Sequence, residues 1–162
     1  MECRIVFLFI YLCLLANNHA QITISNTNPY NNSNHLINNV LLGGGVSANN
    51  VTYQGDLIQV GFFNAINSNL GIDSGIVLST GDIIDLDPNF FGFGNIPSST
   101  NSDPDLLNVA NSVPPIINQP FNVTGIFDVA TLEFDFIPNS DTLSFNYVFG
   151  SNEYLTWINS EY

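Results

Sequence analysis

The sequence predicts an all-β, mainly antiparallel fold of the β-sandwich or jelly-roll kind, with one or two short helices. Short runs rich in β-branched and aromatic residues recur along the chain, and Asn, Gly and Asp residues separate them. Near the end, apolar and polar residues alternate over two successive runs. Short strands separated by such turn residues are typical of sandwiches and barrels.

The first half of the chain alternates strand-like runs with turns. We expect strands at 22–24, 51–53, 60–63 and 75–79. Between the first two, Leu36, Ile37, Val40 and Leu41 have the spacing of one or two helical turns. The glycines at 43–45 are expected to end that helix, because glycine tolerates a positive φ.

Residues 82–119 are irregular and rich in proline. A short helix is expected to follow Asp103, with Pro104 at its first position and Leu106 on its apolar face. The rest of this stretch is expected to be a long surface loop, a kind of segment that often carries function.

The clearest strand pattern lies in residues 131–136 and 143–149. Apolar and polar side chains alternate in both runs, and the apolar set of the second run is mostly aromatic. The intervening residues 138–141 are typical of a turn. We therefore expect a central hairpin with one buried aromatic face, since burial of each Phe is worth ~2 kcal/mol.

The N-terminus has the order of a secretory signal peptide. Arg4 precedes an unbroken apolar run from Ile5 to Leu15, and a short polar stretch then ends on Ala20. Eleven residues make a helix of ~16 Å, which is too short for the ~30 Å core of a bilayer. Cleavage is expected after Ala20, with Gln21 as the mature N-terminus, and no transmembrane span should remain.

Charge and cysteine content exclude several classes of function. Arg4 is the chain's single Lys or Arg residue, against 14 Asp and Glu residues, and the net charge is −13. Such a surface repels phosphate backbones, so nucleic acid is excluded as a partner. Both cysteines, Cys3 and Cys13, lie in the expected signal. The mature chain would therefore have no disulfide and no Cys nucleophile. Neutral glycans, cations or other surface proteins are the partners expected.

Several blocks of the sequence together resemble the choice-of-anchor L domain family. They occur in the family's order and consist of residues 36–43 with 45–46, then 50–55, 70–81, 102–106, 132–138 and 141–154. The resemblance implies an exported bacterial surface protein and gives no established activity. In the family a pair of acids often precedes the tyrosine of the last block, whereas here Asn152 replaces one of them.

The resemblance also implies a domain organisation. We expect a signal peptide at 1–20, a polar lead-in at 21–35 and a partial choice-of-anchor L domain at 36–162. In the family further β-structure usually follows the last block, so the domain is expected to be incomplete at the C-terminus. Residues 21–162 alone are expected to be poorly soluble, because unpaired strand edges and apolar surface favour aggregation.

Loop carboxylates are candidate ligands for Ca²⁺, which prefers hard oxygen donors. The candidate metal ligands are Asp82, Asp85, Asp87, Asp103 and Asp105. Their spacing differs from the EF-hand pattern. The alternative is that the first three are solvated turn residues and that Asp103 caps a helix. Ca²⁺ is the one cofactor that the sequence suggests.

Exposed aromatic side chains could stack on sugar rings. The candidate ligand-binding residues are Phe90, Phe91, Phe93, Glu153, Tyr154 and Trp157. The alternative for the three phenylalanines is core packing beneath their loop. The lone histidine of the mature chain, His35, is expected to be an exposed loop residue, so a Ser-His-Asp triad is not expected.

The favoured function is a non-catalytic binding or adhesion module, secreted or held at the bacterial cell surface. One alternative is a secreted glycan hydrolase that uses Glu133, Asp135 or Glu153. Glu133 and Asp135 would lie on one strand face, ~7 Å apart, a separation between those typical of retaining and inverting enzymes. A second alternative is a structural spacer domain within a larger anchored protein.

Overall fold

The computed structural model describes residues 21–43, 45–86 and 102–151. Strand β3 (Val60–Asn67) is the central strand of the larger of its two sheets. It pairs antiparallel with β1 (Gln21–Ser25) on one side and with β4 (Ser74–Leu78) on the other. Phe62 lies opposite Ser25 in β1 and Ile76 in β4. The strands predicted from the sequence at these positions are confirmed.

Close packing around β3 depends on a glycine. A Cβ atom added at Gly61 would lie 2.5 Å from the backbone oxygen of Ser25 and would also meet the side chain of Ile83. Both are closer than van der Waals contact allows. The lack of a side chain at Gly61 therefore lets β1 and Ile83 approach the middle of this sheet.

The second sheet joins β2 (Ala48–Gln54) to β5 (Thr131–Phe136) in antiparallel order. The alternation predicted for residues 131–136 is confirmed, since Glu133 and Asp135 are exposed while Leu132, Phe134 and Phe136 are half-buried. Within the described residues the two sheets do not close into a barrel. The all-β, antiparallel class predicted from the sequence is thus confirmed.

The predicted hairpin between 131–136 and 143–149 is wrong. β5 pairs with β2, which is about 80 residues earlier, and residues 143–149 form no strand and are exposed. The connecting loop also contacts the chain before β2, where the side-chain amide of Asn139 donates to the backbone oxygen of Gly45 at 2.7 Å. This bond joins the 138–141 turn to the loop that precedes β2, on the same side as the ladder between β5 and β2.

A short helical segment packs under the sheets. An α-helical turn, α1 (Ser33–His35), continues into a π-helical turn at Leu36–Leu41. The Asn32 side chain accepts a hydrogen bond from the backbone N–H of His35 at 3.0 Å and caps the segment. Leu36 and Ile37 are completely buried, as expected for the apolar side of these turns. The prediction of helical turns here is confirmed.

The second helix, α2 (Pro104–Ile117), begins as the sequence predicts and is longer than expected. The Asp103 carboxylate accepts hydrogen bonds from the N–H groups of Asp105 and Leu106, at 2.8 and 3.0 Å. The helix runs through Pro114 and ends where Asn118 adopts a left-handed φ of 57°. Both Pro114 and Pro115 lie inside the last turns of this helix, and of the two only Pro114 is buried.

The core of the described residues brings together the helical turn, β3 and a short 3-10 turn at Ile83–Leu86. Its buried apolar residues are Leu36, Ile37, Val60, Ala65, Ile83 and Val129. One polar side chain, that of Gln59, is buried among them. In the part of the chain that the structure describes, no helix is both long and apolar enough to cross a membrane.

Candidate functional site

The fully buried side chain of Gln59 links three separate segments. Its amide nitrogen donates to the backbone oxygens of Thr80 and Asp128, at 3.3 and 2.7 Å. Its amide oxygen accepts from the backbone N–H of Asp56 at 2.7 Å. These bonds fix the turn before β3 and two loops to one another, so this arrangement is structural rather than a ligand site.

Tyr53 lies at the edge of the same turn. Its hydroxyl donates to the backbone oxygen of Asp56 at 2.7 Å. Burial, followed by the negative charge of Asp56, raises the pKa of Tyr53 to about 12. Gly55 leaves room for this contact, because a Cβ atom there would lie 2.5 Å from the Tyr53 hydroxyl oxygen. The Tyr53 hydroxyl therefore already donates a hydrogen bond within the fold.

The loop aspartates cap local turns. The Asp82 carboxylate accepts from the N–H of Ile84 at 3.0 Å, at the start of the 3-10 turn. Asp103 caps α2 in the same way, and Asp105 lies in its first turn. Among the described residues, no three His, Cys, Asp or Glu side chains lie close enough to hold a metal ion. Asp87 falls outside the described residues, so the predicted calcium site remains a prediction.

The strand acids lie on the exposed face of β5. Glu133 is opposite Thr52 of β2, and Asp135 is opposite Asn49. The Asp135 carboxylate accepts a hydrogen bond of 2.7 Å from the side-chain amide of Asn50. Asn50 itself has a left-handed φ of 51°, which brings its side chain to this position beside β5. An open polar strand face results, and nothing in the geometry sets one carboxyl apart as an acid and the other as a base.

Three aromatic side chains meet beside the larger sheet. The Tyr30 ring stacks on Phe62 of β3, with centroids 4.4 Å apart and planes inclined by 13°. His35 meets Tyr30 edge-on, at a centroid distance of 5.8 Å. All three side chains are half-buried. We call Tyr30, His35 and Phe62 the Tyr30 patch. His35, expected to be an exposed loop residue, is instead part of α1 and of this cluster.

The Tyr30 patch borders an amide-rich loop. Asn28, Asn31, Asn32 and Asn34 are all exposed around Tyr30. The Asn32 amide oxygen is used in capping α1, and the backbone oxygen of Asn34 accepts from the Asn38 side chain at 3.2 Å. Sequence reasoning missed Tyr30. The available signal was a single aromatic residue within an Asn-rich loop, close to the helical turns.

The other predicted ligand residues are not placed by the structure. Phe90, Phe91 and Phe93, like Glu153, Tyr154 and Trp157, fall outside the described residues. Ala20 does so as well, whereas Gln21 begins β1 and pairs with Asn67. The predicted aromatic platform and the predicted cleavage site therefore both remain predictions.

Comparison with known families gives a match over most of the chain. The family model of the choice-of-anchor L domain matches residues 23–162. The chain belongs to the choice-of-anchor L domain family. The resemblance inferred from the sequence blocks is thereby confirmed. No curated protein and no solved structure matches the chain.

Family membership indicates the setting in which this choice-of-anchor L domain works. Such domains are modules of bacterial surface-anchored proteins, and they are generally non-catalytic. Membership implies a bacterial secreted or surface protein. It does not assign a ligand, so any binding site must be argued from the residues themselves.

Proposed function

We propose that this choice-of-anchor L domain is a non-catalytic binding module that holds neutral glycans at the bacterial surface. The observation that carries the proposal is the Tyr30 patch beside its amide-rich loop. Sugar sites combine an aromatic ring face with a few polar groups that fix the orientation of the ligand. The exposed side chains of Asn28, Asn31 and Asn34 supply such groups, since each amide can donate and accept.

The stack on Phe62 prepares the Tyr30 ring for a ligand. With ring centroids 4.4 Å apart, Phe62 covers one face of Tyr30, and the His35 ring lies inclined by 67° to the Tyr30 ring with centroids 5.8 Å apart. A ring held on two sides loses little conformational entropy when a ligand covers its remaining surface. Half-burial of all three side chains leaves part of the patch open to solvent.

Charge favours neutral ligands over anionic ones. After Arg4 the chain has no Lys or Arg, and its net charge is −13. The negative charge of the chain would repel sulfated or carboxylated sugars, and no Lys or Arg side chain after Arg4 could pair with their anionic groups. Neutral hexoses and N-acetylhexosamines carry no such penalty, and their hydroxyl and amide groups suit asparagine side chains.

Calcium is a further part of the proposal, as a stabilising ion rather than a reactant. It would involve Asp82 and Asp85 together with Asp87 and backbone oxygens of the same loop, with Asp103 and Asp105 as a second group. Support comes from composition, because the chain carries many acids and has no Lys or Arg after residue 4. Hard oxygen donors from loops suit Ca²⁺.

Titration calorimetry of the full chain against neutral oligosaccharides tests the glycan proposal. Chitin and β-glucan oligosaccharides are suitable probes, and a sulfated oligosaccharide provides the charge comparison. Tyr30→Ala should weaken binding at least tenfold. Phe127→Ala, at a ring that is 68% exposed elsewhere on the surface, should leave binding unchanged. Equal affinity of the wild type and the Tyr30→Ala variant would overturn the assignment of the Tyr30 patch.

A further inference from the structure

The imidazole of His35 is open to solvent beside the Tyr30 ring, with ring centroids 5.8 Å apart. The backbone N–H of His35 is used in capping α1, whereas neither imidazole nitrogen has a hydrogen-bond partner among the described residues. In that part of the chain, no side-chain nitrogen of a buried or half-buried residue is both inaccessible to solvent and without a partner. Since His35 is half-buried, both of its ring nitrogens therefore reach solvent, where a ligand on the Tyr30 patch can contact them.

The elements packed against His35 carry no charged side chain. Helix α1 packs against the π-helical turn at Leu36–Leu41 and against β2, and the Tyr30 ring links it to β3. Residues 21–55, which include β2 and both helical turns, contain no Asp, Glu, Lys or Arg, and neither does β3. Their titratable groups besides His35 are the hydroxyls of Tyr30 and Tyr53, and tyrosine ordinarily loses its proton at about pH 10.

Acids occur on the next elements, and two of these three acids are already hydrogen-bonded. Asp56 follows β2 and accepts a backbone hydrogen bond of 3.2 Å within its own turn. Strand β5, which pairs with β2, carries Glu133 and Asp135, and Asp135 accepts from the Asn50 amide at 2.7 Å. A protonated His35 thus has no carboxylate on its own element or on those packed against it, so the carboxylate of a ligand can serve as its counter-ion.

We infer that His35, when protonated, lets the Tyr30 patch bind carboxylated sugars, an extension that rests on the glycan-binding function proposed above. Histidine is the side chain whose charge ordinarily changes between pH 5 and 8. The imidazolium has two N–H donors and a positive charge, and its hydrogen bond to a carboxylate is roughly twice as strong as a neutral one. Neutral imidazole has one donor and no charge, so at higher pH the patch prefers neutral sugars.

The sign of the pH dependence follows from this pairing. A bound carboxylate favours the protonated imidazole, so binding takes up protons and the affinity rises as the pH falls. Between pH 7.5 and pH 5.5 the affinity for a carboxylated sugar should rise about fivefold, because most of the change in histidine charge falls within this range. Carboxylates ordinarily titrate at about pH 4, so the ligand keeps its charge throughout.

Titration calorimetry at pH 5.5 and 7.5 on the full 162-residue chain tests the inference. The probes are a neutral cello-oligosaccharide and the same oligosaccharide with one C6 hydroxymethyl group oxidised to a carboxylate. The affinity for the oxidised probe should rise about fivefold at the lower pH, while that for the neutral probe changes less than twofold. Repeating the titration in buffers of different ionisation enthalpy should show proton uptake with the oxidised probe.

Two variants assign the effect to one histidine. His35→Gln should remove the pH dependence and the proton uptake and still bind the neutral probe, since the substitution keeps the backbone N–H that Asn32 caps. His19→Gln is the matched control and should retain both effects. Equal affinity for the oxidised probe at the two pH values, the same pH dependence with the neutral probe, or a pH dependence that survives in His35→Gln would overturn the inference while leaving the glycan proposal intact. Absence of binding by both probes at both pH values would overturn both.

Discussion

The side-chain amide of Gln59 donates a hydrogen bond to the backbone oxygen of Asp128, 2.7 Å away, across 69 positions of sequence. Gln59 is 0% exposed and is the one buried polar side chain among the described residues. With its further bonds to Thr80 and Asp56, it uses both ends of its amide. The turn before β3 is therefore held by a polar contact within an apolar core.

Replacing Gln59 should be costly for that reason. Gln59→Leu leaves the Asp56 N–H and the oxygens of Thr80 and Asp128 without this partner. The free energy of unfolding should fall by about 3 kcal/mol, since each unsatisfied buried group costs ~1–3 kcal/mol and some will recruit water. Urea unfolding measures the loss. Gln54→Leu, at an exposed position of β2, is the control and should change stability by less than ~0.5 kcal/mol. Equal losses for both variants would contradict the role assigned to Gln59.

The Tyr53 hydroxyl should lose its proton at a higher pH than an ordinary tyrosine does. Its pKa is raised to about 12, by burial and then by the Asp56 charge, from an ordinary value of 10. The folded state favours the neutral phenol, so the stabilisation is fully present below pH ~10 and is lost as the pH rises from about 10 to about 12. Ultraviolet absorbance titration should resolve this phase among the signals of the six tyrosines.

Two phenylalanine variants assign that phase. Tyr53→Phe should remove it and should lower the free energy of unfolding by about 1 kcal/mol at neutral pH, through loss of the hydrogen bond to Asp56. Tyr147→Phe, at an exposed ring, should leave the phase in place. A late phase that survives in Tyr53→Phe would show that another tyrosine is responsible.

Asn111 should hold the segment after α2 against the helix. Its side chain accepts from the N–H of Val123 at 2.8 Å and donates to the oxygen of the same residue at 3.0 Å. Asn111→Ala should lower the free energy of unfolding by about 2 kcal/mol, since two backbone groups lose their partner. Proteolysis near Gln119 and Phe121 should also become faster. Asn108→Ala, at an exposed position of α2, should affect neither measurement.

Calcium should raise the melting temperature if the loop acids bind it. Saturation at 100 times the dissociation constant is worth ~2.7 kcal/mol, and a chelator should reverse the gain. Asp82→Asn should abolish the gain while its amide oxygen still caps the 3-10 turn that begins near Ile84. Asp73→Asn, in the exposed turn before β4, should retain it. Identical melting curves with calcium and with chelator would contradict a calcium site.

Export should remove the first 20 residues. Mass spectrometry of the protein collected outside the cell should show an N-terminus at Gln21, in part cyclised to pyroglutamate. The apolar run at 5–15 is too short to remain as a membrane anchor. Ala20→Leu should impair cleavage at this position, because signal peptidase sites require a small residue there. Recovery of extracellular protein that retains Cys3 would contradict the prediction.

Local patterns in the sequence were enough to predict each element that depends on its own residues. Alternation predicted β5, the Asp103-Pro104 pair predicted the start of α2, and the spacing of Leu36 and Ile37 predicted the buried side of the helical turns. The family could also be identified, because its blocks occur in order along most of the chain. These elements can be predicted from the sequence because hydrophobic periodicity and helix capping each involve only a few neighbouring residues.

Strand partners and the candidate site were decided by tertiary structure alone. Alternation in 131–136 and 143–149 fits pairing with any strand of matching pattern, and nothing in either run selects β2 over a hairpin. The observed pairing is accompanied by contacts between distant residues, such as that of Asn139 with Gly45, 94 positions apart. The same holds for Gln59, whose burial follows from distant carbonyl groups, and for Tyr30, which meets Phe62 only after the chain folds back on β3. A pattern of residues determines which faces are apolar, whereas only the folded chain determines what those faces meet.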